Sequence, residues 1–294
     1  MDKTLLIGNG LNRTLENGFS WADMLKDLGS DGANSENVPF PIQFEQIAAQ
    51  RGCIIGKRRS DPYKEIRTEI SERIASLVMY AGEAHQAFRN IGMNHVITTN
   101  YDGVFESMFD ARKTKENPGS SRNILGAIFE TSTIDFYHAH GFGSWKNTLC
   151  LGHEHHASLI GKIRNEFFTN NDDESQENIT ALVTGKRESK HIWSELFFTS
   201  DIAIVGLGLD YSEIDLWWLL SMRAALFSPS KGLIEKENQI IYYQINLEKK
   251  NTQYELEKQA VLGSLGVQVE SISANNYLEG YKKIANHVRD SWAS

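Results

Sequence analysis

The feature that most constrains this chain is a series of short apolar runs, each stopping on glycine or on polar side chains. They are TLLIGNG (4–10), HVITTNY (95–101), TIDFYHAHG (133–141), DIAIVGLGLD (201–210) and QIIYYQINL (239–247). Successive side chains of a strand point to opposite faces of its sheet, so a run that stays apolar suits a strand covered on both faces. TLCLG (148–152) reads as one more strand, and VQVESI (267–272) alternates like an edge strand. Helical patterns lie between the runs. Within 63–82, Ile66, Ile70, Ile74, Leu77 and Val78 fall mostly three or four apart and make one apolar face. The stretch 212–227 is apolar nearly all round and reads as a buried helix, opened by Ser212, Glu213 and Asp215 as groups that satisfy free amides. The stretch 251–266 reads as a helix closing on glycine. Strands alternating with helices predict an α/β fold with a parallel sheet.

Polar residues collect where the strands end. Gly8, Gly10, Asn100, Asp102, His140, Gly141, Gly206, Gly208 and Asn246 all fall at or just after the C-terminal end of an expected strand. In open α/β sheets that edge binds ligands. Buried polar groups are costly unless hydrogen-bonded, so Asn100 and Asp102 are read as contacts to a ligand or to the shell that holds it. IGNGLN (7–12) and GLGLD (206–210) are two glycine loops at this edge. Either alone fits a tight strand-to-helix turn equally well; together they favour a dinucleotide.

Several function classes are excluded or set aside. The formal charge is −8, and the one dense basic run is 56–60, read as a solvated loop, so direct nucleic-acid binding is not expected. The two cysteines, Cys53 and Cys150, supply neither a disulfide framework nor a four-cysteine zinc site. His138 and His140 share one face of a strand, and His153, His155 and His156 follow in GHEHH, a density that suits zinc or nickel. Neither cluster has a carboxylate at ligand spacing, so a single catalytic histidine followed by a space-making glycine is preferred and no metal is expected. The acidic stretch 168–180 reads as a solvated loop, and Trp21, Trp217 and Trp218 as core or cap residues. Without a signal-peptide pattern or an apolar run of membrane-spanning length, a cytoplasmic protein is expected, as one domain over 1–294 with helical insertions around 15–90 and 153–195.

Taken in order, Gly8-Asn9-Gly10, SWADML, TTNYD, HG, GLGLD and QIN resemble the sirtuin superfamily, and within it the sirtuin-like proteins of bacterial anti-phage defence. TTNYD followed some 40 residues on by HG is the specific part. The resemblance runs from about residue 4 to about residue 270 as a string of motifs. It implies a Rossmann-like parallel sheet with a helical lobe over an NAD cleft, and NAD+ as substrate. It makes Asn100 and His140 catalytic and brings Asp102 to the nicotinamide amide. Gly8 and Gly10 would line the pyrophosphate, and Gly206, Gly208 and Asn246 would face the adenosine half. Thr99 and Leu209 fall inside the same motifs and are read as cofactor-binding with them. Asn9 and Asn12, also counted with the cofactor loop, stand where sirtuins have Ala and Ser, so their roles stay open. His140 follows alanine rather than the common leucine. Without a four-cysteine zinc module, protein deacetylation is disfavoured.

The implied reaction is NAD+ hydrolysis to nicotinamide and ADP-ribose, depleting NAD during phage infection. A lysine deacylase or ADP-ribosyltransferase using the same site is the first alternative. A non-catalytic module that senses a nucleotide for a partner is the second. An unrestrained NAD hydrolase would kill its own cell. Control is therefore expected from a regulatory protein encoded nearby, a nucleotide activator or oligomerisation.

Overall fold

The computed structural model describes residues 1–18, 24–25, 28, 38–51, 63–114, 124–168, 178–228, 238–247 and 252–293. Trp21, Cys53, the basic run 56–60 and most of the acidic stretch 168–180 lie outside the described residues.

Among the described residues eight strands form one sheet: β1 (Asp2–Ile7), β2 (His95–Thr98), β3 (Arg112–Lys113), β4 (Phe129–Glu130), β5 (Asp135–His138), β6 (Ser200–Val205), β7 (Ile240–Asn246) and β8 (Gln268–Ser273). Their spatial order is β3-β4-β5-β2-β1-β6-β7-β8. The six strands from β5 to β8 pair in parallel, and β3 and β4 add an antiparallel edge beside β5. Numbered along the chain, the parallel strands run 3-2-1-4-5-6 across the sheet. That order is compatible with a Rossmann-like fold and places its switch point between β1 and β6.

The helices are α1 (Phe40–Gln50), α2 (Lys64–Ser76), α3 (Glu83–Ala87), α4 (His153–Phe167), α5 (Asn178–Val183), α6 (Leu196–Thr199), α7 (Ile214–Leu226), α8 (Gln253–Ser264) and α9 (Tyr277–Ala293). The period-two rule divides the sheet between two cores. Leu6, Ile97, Tyr137, Ile204 and Tyr242 pack with α4, α6, α7 and Leu262 of α8 on one face. Leu5, Ile7, Val96, Val205 and Tyr243 pack on the other, against Ala84 of α3 and Tyr281, Ile284 and Val288 of α9. Both faces of the central strands are thus dry, which is why these strands read as unbroken apolar runs. A third cluster joins α1 and α2 to Tyr101, Leu149 and Leu151, beyond the C-terminal ends of the strands. No helix among the described residues is long and apolar enough to cross a membrane.

Three local expectations need correction. TLCLG is not a strand: a 3-10 turn, Lys146–Thr148, leads into extended chain that Gly152 ends by capping α4. Gly141, at φ 105°, turns the chain away from β5, and the returning segment makes a backbone bond from Cys150 N to His140 O (2.8 Å) without forming a ladder. The helix expected over 63–82 stops at Ser76, where Leu77 turns extended, and Gly82 opens α3 separately. GNGLN opens only a 3-10 turn, Asn12–Thr14. The helix at 251–266 appears as α8, opened by a capping box between Thr252 and Glu255. β8 sits at the sheet edge, paired to β7 alone.

Candidate functional site

At the switch point the loops after β1 and β6 press against each other. Gly8 N donates to Val205 O (3.2 Å) and Gly10 N to Gly206 O (2.7 Å). A Cβ on Gly8 would stand 2.7 Å from Leu207 Cα, and one on Gly10 would stand 2.6 Å from Gly206 O. Gly206 itself lies at φ 62°, a left-handed backbone that favours glycine. These three glycines are therefore accounted for by loop-on-loop packing. The amides of Gly8 and Gly10 are spent on Val205 at the end of β6 and on Gly206 just beyond it, and neither residue lines the pocket beside them.

That pocket has a volume of about 360 Å³. Of the residues singled out in the sequence, Asn9, Thr99, Asn100, His140, Gly208 and Leu209 line it. Asn12, Asp102, Gly206 and Asn246 do not. Asp102 lines a separate cavity of about 270 Å³ with Tyr101, Gly103 and Ser107. The sequence reading assigned no place in the site to the other lining residues, among them Tyr101, His156 and Glu213. A larger cavity, about 550 Å³, opens at the opposite end of β5 around Asp135, Lys162 and Lys190. Both lysines there are tied to Glu166, and none of the sequence-derived site residues reaches it.

Asn100 is held from three sides. Its backbone N donates to Thr98 Oγ1 (3.0 Å), its Nδ2 donates to Gly8 O (3.3 Å), and its carbonyl accepts from His138 Nδ1 (3.0 Å). Its Oδ1 is buried without a hydrogen-bond partner. A buried acceptor left unpaired costs about 1–3 kcal/mol, so a ligand O–H or N–H arriving there recovers that cost. His138 does not point where His140 does. Its Nε2 bonds Glu106 Oε1 at 2.7 Å in a fully buried pair. Burial disfavours the imidazolium, but the Glu106 carboxylate outweighs it and raises the His138 pKa.

His140 Nε2 lies 2.8 Å from Asp215 Oδ2, and His156 Nδ1 lies 3.0 Å from Asp215 Oδ1. One carboxylate on α7 thus grips a histidine after β5 and another on α4. Because a carboxylate only accepts, both imidazoles carry protons toward it. For neutral His140 that leaves Nδ1 as a lone-pair acceptor, with no partner among the described residues. Burial pushes Asp215 up, but the charge and hydrogen bonds of the two histidines outweigh it, so its carboxyl lies well below the ordinary range. Burial lowers the His140 pKa, but the charge and hydrogen bond of Asp215 together with the charge of Glu213 outweigh it and raise the pKa above its ordinary value. Glu213 is pushed up to about 7, chiefly by burial, and its Oε2 is buried and unpartnered. The ligand atoms of His140, His156 and Asp215 all lie within 4.8 Å of one another.

The GHEHH histidines diverge because successive helical positions turn by about 100°. His155 faces Arg67 and Phe44, His156 faces Asp215, and His153 stays partly exposed. Asn12 and Asn9 find structural roles. Asn12 Nδ2 donates to Asn9 Oδ1 (3.0 Å) and Asp102 Oδ2 (2.8 Å), and its Oδ1 accepts from His85 Nε2 (2.9 Å). Burial raises the Asp102 pKa. The carboxylates that answer His138 and His140 lie 32 and 75 residues away in sequence, so no local spacing reveals them. A scan against protein-family models finds no match, and a search of curated proteins finds none.

Proposed function

We propose that the chain cleaves the nicotinamide–ribose bond of NAD+, with water as acceptor. The motif order that resembles the sirtuin-like defence proteins supplies the identity of the substrate. The observation that carries the chemistry is the pairing, in one pocket, of the unpartnered Oδ1 of Asn100 with the free Nδ1 of an aspartate-held His140.

Cleavage sends the glycosidic electron pair to the nicotinamide, which leaves neutral, and builds positive charge on the ribosyl carbon. Water adds there and gives up one proton. Asn100 Oδ1 accepts from that water or a ribose hydroxyl and so orients it. His140 Nδ1 takes the proton, and Asp215 stabilises the imidazolium that results. Positioned bases of this kind contribute roughly 10²–10⁴-fold. Tyr101, Leu207 and Leu209 restrict water to the pocket's polar wall. In this reading α1, α2 and their apolar cluster form a lobe over the cleft, since Phe40 and Pro41 of α1 already line it. The setting, NAD depletion in phage defence under control of a partner protein or nucleotide, follows from the resemblance.

The test is incubation of purified protein with NAD+, with and without an acylated peptide. Nicotinamide and ADP-ribose in equal amounts without peptide, lost in Asn100→Ala and His140→Ala, are expected. Turnover at the wild-type rate in both variants refutes the assignment. Strict dependence on the peptide makes the chain a deacylase or transferase instead, and tight NAD+ binding with no turnover makes it a sensor.

A further inference from the structure

We infer that His140, His156 and Asp215 form a transition-metal site of the zinc class, and that metal bound there switches the pocket off. The inhibitory half rests on the reading of His140 as the base; the metal site itself does not.

Two imidazole nitrogens and a carboxylate oxygen are the donor set that Zn²⁺, Co²⁺ and Ni²⁺ accept. Here they converge from α4, α7 and the end of β5, and all three side chains are buried. His140 Nε2 and His156 Nδ1 sit 2.8 and 3.0 Å from the Asp215 oxygens, and a metal ion replacing the two protons keeps the same three groups together. Three protein ligands leave a zinc-class ion an open position. His140 and His156 line the 360 Å³ pocket, so that position is reached through it. Glu213, with a buried oxygen that has no partner, lines the same wall and adds a carboxyl group to offset the ion's charge.

The consequence for His140 is a change of tautomer. Without metal, neutral His140 carries its proton on Nε2 and offers a lone pair at Nδ1. With metal on Nε2, the neutral ring must carry its proton on Nδ1. The atom that accepted a proton from water becomes a donor, and the base is lost. His156 makes the mirror change: with metal on Nδ1 its proton moves to Nε2, so both rings stay neutral and no net proton is released.

The experiment uses the 294-residue chain stripped with a chelator and titrated with ZnCl₂ against a chromogenic zinc indicator. One tightly bound Zn²⁺ per chain is expected, absent from Asp215→Asn and from His156→Asn. Co²⁺ bound to the wild-type protein should give the intense visible absorption of a four- or five-coordinate site, a readout that needs no variant. NAD+ turnover should fall in proportion to Zn²⁺ occupancy and return on adding EDTA. No stoichiometric binding, a weak six-coordinate Co²⁺ spectrum, or binding that survives both substitutions overturns the site. Stoichiometric Zn²⁺ with unchanged turnover overturns the switch. A protein that binds Zn²⁺ but never cleaves NAD+ refutes the function proposed above and leaves the metal site standing.

Discussion

Acidification should weaken this fold through His85, by an amount that can be isolated. His85 is the buried link between α3 and the glycine loop. Its Nε2 donates to Asn12 Oδ1 and its Nδ1 accepts from Gly82 N, so the ring is satisfied only when neutral. Burial lowers its pKa to about 4. The unfolded chain, with an ordinary pKa of about 6.5, binds the proton first, so stability falls as pH drops from about 6.5 toward about 4. One pKa unit corresponds to about 1.4 kcal/mol, so between pH 7 and pH 5 this residue should cost about 2 kcal/mol. That is a large part of a typical 5–15 kcal/mol stability. His85→Gln keeps a donor toward Asn12 and removes the titration. Urea unfolding of both proteins at pH 7 and pH 5 separates the terms, because other acid-sensitive groups such as His155, pushed to about 3 by burial and Arg67, are common to both. The variant should be less stable at pH 7 and close the gap by about 2 kcal/mol at pH 5. A gap that stays constant over this range refutes the argument.

Asp215→Asn should lower the kcat for NAD+ hydrolysis by roughly 10²-fold or more, since the amide can accept from only one of the two imidazoles; initial rates alongside urea unfolding distinguish this from simple misfolding. Glu106→Gln should cost about 3–5 kcal/mol in urea unfolding, because it leaves His138 buried opposite a neutral group. Gly10→Ala should destabilise by about 1–3 kcal/mol, and adding Tyr281→Phe should not restore the loss, because the new Cβ also meets Gly206 O at 2.6 Å. Thermal unfolding of the single and double variants reads this out.

The sheet was legible because β1, β2, β5, β6 and β7 are buried on both faces and so advertise themselves as apolar runs. The antiparallel β3 and β4, two residues each, carry too little pattern to be read. α9 escaped notice although Tyr281, Ile284 and Val288 recur at helical spacing. Asn100 and His140 were legible from their place at strand ends, and they share a pocket. The sequence marks Asp215 and Glu213 as carboxylates at a helix start; Glu213 occupies the N-cap position of α7, but its side chain makes no capping hydrogen bond. Nothing local distinguishes a solvated first-turn aspartate from one that grips two histidines, because the partners arrive by tertiary contact. The glycines of the first loop were read for a ligand and proved necessary to the loop beside them. Glycine marks close approach without saying what approaches.

The four loop glycines are not equivalent as places to change the protein. Gly8, Gly10 and Gly206 each face backbone or side-chain atoms within 3 Å of where a Cβ would stand. Gly208 faces none within 4 Å, its backbone is outside the left-handed region, and it lines the pocket. Side chains of graded size at Gly208 can therefore narrow the cavity in steps while the fold is left as it is. That makes this position a dial on ligand size, independent of the groups assigned to the chemistry.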